Sequence, residues 1–299
     1  MTRTGLAVGC AVLIGTALVT GRALSAQNAP AAPAAPVVFK SRAELMNILA
    51  ERAKASPAPE MMAANVKSGD GYMINVVRRT TVQGAIAHDV GSEIHSLIDG
   101  AATLVTGGTI ARPSDPAQRR NSTVDNGVSR HVTPGDVVLV PPKTPHWYQA
   151  IDGVVTYLEI RFDVGAPAGG PAVAITDTEI KRVLATKAAA TPAPVMFSAP
   201  VGRGDKYQAN IVKRTAPQGG GAHERGDEVH HILEGSGVLV TGGRVVRGAA
   251  GAPATITGGD ERQVGPGDVV LIPAGTPHWY KQVNGSVRYL EVRFDLSKS

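Results

Sequence analysis

Apolar and polar residues alternate along several short stretches of this chain, and each of these stretches occurs twice. Alternation with a period of two predicts strands, because successive side chains of a strand point to opposite faces of a sheet. The first set is SEIHSLIDG at 92–100, GDVVLVP at 135–141 and GVVTYLEIRFD at 153–163. The second set is DEVHHILEG at 227–235, GDVVLIP at 267–273 and GSVRYLEVRFD at 285–295. Short strands between Gly and Pro turns are typical of a jelly-roll barrel.

A short helix is predicted ahead of the strands in each half. SRAELMNILAERAKASPAP in the first half corresponds to TDTEIKRVLATKAAATPAP in the second. Each segment opens with the hydroxyl and glutamate of a capping box, Ser41 with Glu44 and Thr176 with Glu179. Each helix is expected to end before the PAP that follows, because proline interrupts the helical hydrogen bonds.

The repeat divides the chain into tandem domains. We expect a signal peptide at 1–26, a Pro/Ala linker at 27–38, a first domain at 39–163, a linker at 164–173 and a second domain at 174–299. The predicted fold class is therefore all-β, with two tandem jelly-roll barrels, each preceded by a short helix.

The first residues have the pattern of a secretory signal peptide. Arg3 precedes an apolar run at 6–19, and Ala23 and Ser25 have the spacing that signal peptidase recognises. Because the run is short for a membrane span, cleavage is favoured over the alternative of an uncleaved anchor. We therefore expect a secreted or periplasmic protein with no stable membrane anchor after cleavage.

Composition narrows the kinds of site that the mature chain could carry. The single cysteine, Cys10, lies within the signal, which leaves no disulfide and no thiolate ligand. The formal net charge is +5, but the basic residues are scattered, so nothing indicates nucleic-acid binding. Glycine fingerprints of nucleotide folds and a GxSxG sequence are absent. The expected partner is a small-molecule ligand or substrate, and a homo-oligomer remains open.

Six of the eight histidines occupy matched positions in the two halves. The matched pairs are His88 with His223, His95 with His230, and His146 with His278, and Glu93 matches Glu228. Glu93 and His95 are two residues apart on one strand, so their side chains share a face. A lone carboxylate buried on that face would be costly. Imidazole with carboxylate suits a divalent transition metal, namely Fe, Mn, Ni, Cu or Zn.

These residues give the chain a resemblance to the cupin superfamily, and specifically to secreted two-domain bicupins. The second half fits the later part of the family's first motif at His223, Glu228 and Gly235. It fits the second motif along GDVVLIPAGTPHWYKQ, and the first half fits that motif at Gly135, Pro141 and His146. The resemblance implies a metal centre in each barrel, so the repeated TPHWY is both a duplicated fold element and the source of a metal ligand.

The chain also departs from the family pattern. The family's first ligand His falls on Ile86 and Gly221, so neither half has the HxH pair. His95 and His230 are candidates for a fourth ligand, and the alternative is that they orient the glutamate. We expect the second site to be the better formed one, because it retains Gly275 where the first half has Lys143.

The roles of the other matched residues are less specific. Tyr148 and Tyr280 share a face with the TPHWY histidine and serve either as pocket donors or as core residues. On the last strand of each half, Glu159 with Arg161 and Glu291 with Arg293 are expected to form surface or inter-domain salt bridges. His131 and His231 lack a matching histidine and are assigned to structural or surface roles.

The resemblance implies three candidate functions. The first is a metalloenzyme acting on a small organic molecule, of the oxygenase, decarboxylase, isomerase or lyase type. The second is a non-catalytic envelope protein that binds a metal or a small ligand. The third is a structural protein with vestigial sites, which the matched ligands in both halves argue against.

Overall fold

The computed structural model describes residues 35–164 and 168–297. The predicted signal peptide at 1–26 and most of the linker at 27–38 fall outside the described residues. Along the described residues, no helix is long and apolar enough to cross a membrane.

The described residues form strands for most of their length, with two α-helices and one short 3₁₀ helix. The strands of the first half are β1 (Val38–Lys40), β2 (Met61–Gly69), β3 (Tyr72–Arg79), β4 (Ser92–Thr106), β5 (Thr109–Ala111), β6 (Thr123–Asp125), β7 (Val128–Val132), β8 (Val137–Val140) and β9 (His146–Phe162). Those of the second half are β10 (Val173–Ile175), β11 (Met196–Gly204), β12 (Tyr207–Arg214), β13 (Asp227–Thr241), β14 (Arg244–Val246), β15 (Thr255–Thr257), β16 (Asp260–Val264), β17 (Val269–Ile272) and β18 (His278–Phe294). The helices are α1 (Arg42–Arg52), α2 (Asp177–Ala188) and the 3₁₀ helix Pro116–Asn121.

Both predicted helices are present and begin at the predicted caps. The backbone N–H of Glu44 donates to Ser41 Oγ at 3.2 Å, and Glu44 Oε2 accepts from the Ser41 backbone at 2.8 Å. The N–H of Glu179 donates to Thr176 Oγ1 at 3.2 Å. These bonds satisfy N–H groups that the first helical turn leaves free, which explains where each helix starts.

The strands form two large antiparallel sheets, one for each half. In the first sheet the order is β10-β8-β4-β9-β3-β2, and β7 also pairs with β4. In the second sheet the order is β1-β17-β13-β18-β12-β11, and β16 also pairs with β13. The long central strands β4 and β9, like β13 and β18, pair along their whole length with several bulges, and curl each sheet into a barrel. The prediction of an all-β protein with two tandem jelly-roll barrels is confirmed.

Each half places its first strand in the barrel of the other half, which the sequence repeat does not show. Strand β1 pairs with β17 of the second barrel, and β10 pairs with β8 of the first. The helices that follow are tied to the same barrels, because Arg42 N donates to Asp268 Oδ1 at 2.9 Å and Asp177 N to Asp136 Oδ1 at 2.8 Å. Strands β1 and β10 each begin at the last residue of a predicted linker and continue into the domain that follows. The predicted domain boundaries at 38–39 and 173–174 therefore fall within strands that pair with the other barrel.

The PGD turns before β8 and β17 contain Gly135 and Gly267, and both the backbone conformation and the neighbouring half of the chain require glycine there. Gly135 and Gly267 have φ of +91° and +88°, a backbone region that L-residues rarely adopt. A Cβ on Gly135 would lie 2.8 Å from Asp177 Oδ1, and one on Gly267 would lie 2.7 Å from Arg42 Cδ. The repeated turn therefore serves contact between the halves as well as the local chain reversal.

One apolar core is shared by the two halves. The rings of Phe162 and Phe294, each at the end of the last strand of its half, stack with centroids 5.4 Å apart and an interplanar angle of 3°. The ring centroid of Tyr72 lies 5.5 Å from that of Phe294, and the ring centroid of Tyr207 lies 5.4 Å from that of Phe162. The same cluster includes residues of both helices. The two barrels thus bury apolar surface against each other as well as within themselves.

The two unmatched histidines have different environments. His131 is exposed on β7, with its Nδ1 3.9 Å from Asp152 Oδ2. His231 on β13 is buried, and its Nδ1 lies 3.1 Å from Ser96 Oγ on β4 of the other barrel. Burial, with a smaller contribution from Arg42, lowers the pKa of His231 to about 4.

We expect His231 to make the protein sensitive to acid. Its unfolded pKa is 6.5, so the unfolded chain binds a proton as the pH falls below 6.5, whereas the folded chain binds it only near 4. The part of the unfolding free energy that depends on neutral His231 is therefore fully present above pH 6.5 and is lost as the pH falls from 6.5 to 4. Between pH 8 and pH 5, His231→Gln should lose about 2 kcal/mol less unfolding free energy than the wild type. Urea unfolding at both pH values measures this, with His131→Gln as the exposed control. Equal losses in all three proteins would contradict it.

Candidate metal centres

The three side chains predicted to meet in the first barrel do converge there. Glu93 lies on β4, His146 begins β9, and His88 lies in the segment before β4; these three residues form what we call the first centre. One ligand atom of each lies within 4.8 Å of the others. His88 Nε2 is 3.0 Å and His146 Nε2 is 3.8 Å from Glu93 Oε2. Whether these atoms ligate a metal remains a prediction.

The second barrel repeats the arrangement in what we call the second centre, formed by His223, Glu228 and His278. Their ligand atoms also lie within 4.8 Å of one another. His223 Nε2 is 3.3 Å from Glu228 Oε2, and His278 Nε2 is 3.8 Å from Glu228 Oε1. Glu228 and His230 also group with Glu291, which offers a further carboxylate close to this centre.

The TPHWY sequence fixes which nitrogen of its histidine faces the centre. The Nδ1 of His146 lies 3.2 Å from the carbonyl oxygen of Thr144, and that of His278 lies 3.1 Å from the carbonyl of Thr276. A carbonyl only accepts, so Nδ1 carries the proton and Nε2 keeps its lone pair for the centre. A backbone carbonyl on the second nitrogen is the arrangement usual for metal-binding histidines.

The first centre fits a bound cation. Glu93 Oε2 and His146 Nε2 are both buried and make no hydrogen bond of good geometry, although His88 Nε2 lies 3.0 Å from Glu93 Oε2. Buried polar atoms nearly always have a hydrogen-bond partner, so the lone pair of His146 Nε2, directed toward the Glu93 carboxylate, is suited to binding a cation. Nitrogen and carboxylate donors in this number suit a divalent transition metal that keeps open coordination positions.

His95 and His230 contact the glutamates and have both ring nitrogens engaged. His95 Nε2 bonds to Glu93 Oε1, and the Tyr148 hydroxyl lies 3.0 Å from His95 Nδ1. In the second barrel His230 Nε2 bonds to Glu228 Oε1, and the Tyr280 hydroxyl lies 3.2 Å from His230 Nδ1. The tyrosine hydroxyl donates to Nδ1, so Nε2–H donates to the carboxylate. In this geometry His95 and His230 orient the glutamates, which favours the second of the two roles considered from the sequence.

Burial and charge set the protonation of these groups. Burial alone would raise the pKa of Glu93, but His95, His88 and His146 outweigh it and hold that pKa well below its usual range. Burial lowers the pKa of His146 to about 4. Burial also raises the pKa of Tyr148 well above 10, so its hydroxyl stays a donor. At neutral pH the first centre therefore offers a carboxylate and a neutral His146 imidazole.

The last strand of each half brings residues to the centres that the sequence reasoning assigned to surface or inter-domain salt bridges. The register places Arg161 opposite Glu93 and Glu159 opposite His95 across β4 and β9. In the second barrel Arg293 stands opposite Glu228. The alternation of glutamate and arginine was visible in the sequence, but the cross-strand partner of each residue was not.

We expect Tyr148 to act on metal binding through His95. Tyr148→Phe removes the hydroxyl that holds His95 Nδ1, so His95 and Glu93 lose a fixed orientation. Affinity of the first centre for Co²⁺ should fall about tenfold, as is typical when a partner of a ligating group is removed. Calorimetric titration measures the affinity, with Tyr72→Phe, on the inter-barrel core, as the matched control. Loss of affinity in both variants would show a general packing effect instead.

Comparison with known proteins bears on the fold. No family model matches the sequence, and no curated protein matches it. Among solved structures, the chain is similar to a Cupin 2 conserved barrel domain protein from Leptotrichia buccalis, with a TM-score of 0.52 and 11% identity over 89% of this chain and 99% of the other. The fold is that of the cupin barrels.

Two solved structures of one enzyme are also similar to this chain. Salicylate 1,2-dioxygenase from Pseudaminobacter salicylatoxidans matches with a TM-score of 0.61 and 11% identity, over 87% of this chain and 84% of the enzyme. A mutant of that enzyme in complex with gentisate matches with a TM-score of 0.63 and 12% identity, over 89% of this chain and 84% of the mutant. At these identities the likeness concerns the cupin fold alone.

Proposed function

We propose that this cupin-fold protein is a secreted or periplasmic metalloenzyme that binds a divalent transition metal and acts on a small organic molecule. The observation that carries the proposal is the first centre, where the buried Glu93 Oε2 lies 3.0 Å from His88 Nε2 and 3.8 Å from His146 Nε2, and His146 Nε2 has no hydrogen-bond partner. The reaction would be of the oxygenase, decarboxylase, isomerase or lyase type. The gentisate complex of a protein with this fold supports a small organic molecule as the partner.

The residues around the metal would each have a defined task. His88, Glu93 and His146 would hold the ion, which supplies Lewis acidity or, if redox-active, activation of dioxygen. The Thr144 carbonyl keeps His146 in the tautomer that presents Nε2. His95 and Tyr148 hold the Glu93 carboxylate in place. Tyr148 and Tyr157 are buried beside His95 and keep water from that side of the carboxylate.

Metal analysis tests the proposal first. The exported protein, stripped with chelator and dialysed against Fe²⁺, Mn²⁺, Ni²⁺, Cu²⁺ or Zn²⁺, should retain at least one of these ions, and mass spectrometry of the same sample locates the mature N-terminus. A screen of small organic acids with and without the retained metal then tests turnover. Metal retention without any turnover would leave a binding protein of the envelope, and failure to retain any ion would refute the metal function.

A further inference from the structure

Arg161 and Arg293 occupy matched positions on β9 and β18 but contact the two centres differently. Arg293 donates to Glu228 Oε2 from Nε at 3.1 Å and from Nη2 at 3.0 Å. The same Nη2 lies 2.7 Å from His223 Nε2. Arg161 Nε, in contrast, is 3.9 Å from Glu93 Oε2, which is too far for a hydrogen bond.

The ligand atoms of the two centres are therefore in different states. Glu93 Oε2 has His88 Nε2 at 3.0 Å but accepts no hydrogen bond from Arg161, whereas the equivalent oxygen of Glu228 accepts two hydrogen bonds from the Arg293 guanidinium. His223 Nε2 accepts a hydrogen bond from Arg293, so its lone pair is directed at the arginine. We propose that Arg293 is a built-in cation of the second centre that competes with metal, so that the two centres differ in metal affinity.

The proposal rests on the proposed function in one respect, namely that these clusters bind a divalent metal. A metal entering the second centre must displace bonds from Arg293 to two of the three candidate ligands. Charge-assisted bonds between guanidinium and carboxylate are among the stronger hydrogen bonds in proteins, and arginine keeps its charge at all working pH values. The first centre carries no such competitor within hydrogen-bonding distance of Glu93 Oε2.

The structure offers Arg293 a place to withdraw to. Its Nη2 is 3.8 Å from Glu291 Oε1, a second carboxylate on the same strand. Its side chain also borders an open cleft of about 480 Å³, together with Arg203, Arg225 and Asp295. Metal binding at the second centre is thus possible but requires this movement. The hydrogen bonds consequently favour the first centre as the tighter one, the opposite of the ranking expected from Gly275.

Titration of chelator-treated protein with Co²⁺ tests the inference. In wild-type protein the first equivalent should bind at least about tenfold more tightly than the second, since charge-assisted hydrogen bonds must be broken only at the second centre. His146→Ala should remove the tight step, and His278→Ala should remove the weak step. This measurement requires no change at either arginine.

Arginine variants then isolate the cause. In the His146→Ala background, Arg293→Gln should tighten Co²⁺ binding at the second centre about tenfold or more. In the His278→Ala background, the matched control Arg161→Gln should change binding at the first centre less than about threefold. Arg293→Met, checked by thermal unfolding, serves as a second variant if Arg293→Gln folds poorly.

The outcomes separate the two ideas. Equal wild-type affinities at both centres, or an Arg293→Gln variant that binds Co²⁺ no more tightly, would overturn the role of Arg293 while leaving the metal function intact. No Co²⁺ binding at either centre, in any of these proteins, would refute both. Loss of the tight step in His278→Ala instead of His146→Ala would restore the ranking expected from the sequence and overturn the inference.

Discussion

Glu93→Gln should lower the metal affinity of the first centre by at least about 100-fold, more than the loss usual for a residue that only supports a ligand. Glu93 Oε2 is the common point of the centre, 3.0 Å from His88 Nε2 and 3.8 Å from His146 Nε2. The neighbouring imidazoles hold the pKa of Glu93 well below its usual range, so the wild-type group is ionised at neutral pH. The amide keeps the shape but removes the negative charge that draws a cation.

Calorimetric titration with Co²⁺ measures this loss of affinity, and a control variant and the second centre show whether the loss is specific to the first centre. Glu51→Gln, on the exposed face of α1, removes an equal charge far from the barrel interior and should leave both affinities unchanged. The second centre should also bind as before, because its ligands belong to the other barrel. Wild-type affinity at the first centre of Glu93→Gln would show that the metal is held elsewhere.

Phe294→Ala should lower the free energy of unfolding by about 3–5 kcal/mol, the cost of removing a buried aromatic ring from a packed core. The effect should reach both barrels, because the Phe294 ring stacks on Phe162 and contacts Tyr72 of the first half. The exchanged strands β1 and β10 add pairing in both directions. The barrels should therefore unfold in a single transition, before and after the substitution.

The two tryptophans allow each barrel to be followed separately. Trp147 lies on β9 and Trp279 on β18, and the chain has no other tryptophan. Denaturant unfolding of Trp147→Phe and Trp279→Phe, each with and without Phe294→Ala, should give coincident midpoints that shift together. Val90→Ala, at a position that is 65% exposed, is the control and should shift neither. A shift confined to Trp279 fluorescence would show that the barrels unfold independently.

Local patterns were enough to find the elements and the candidate ligands. Alternation over 92–100 and 227–235 predicted strands, and these stretches form the first nine residues of β4 and of β13. The pairing of Ser41 with Glu44 located the start of α1 to the residue. The two-residue spacing of Glu93 and His95 placed both on one face. These features depend on chain geometry over a few residues, which sequence encodes directly.

The tertiary structure decided which distant residues meet. The exchange of β1 and β10 depends on which sheet edge each strand reaches, and both edges present the same repeated sequence. Arg161 in EIRFD and Arg293 in EVRFD have nearly the same sequence context, yet only Arg293 hydrogen-bonds to its centre, because a difference of less than 1 Å in a long side chain decides whether the bond forms. The contact between His231 and Ser96 joins residues of different barrels, so it depends on how the barrels pack. The strands, the helix caps and the types of ligand can be predicted from the sequence, because they follow from local periodicity and spacing. The partner of each strand edge and of each charge is known only from the folded chain, because it depends on register and on packing between segments far apart in the chain.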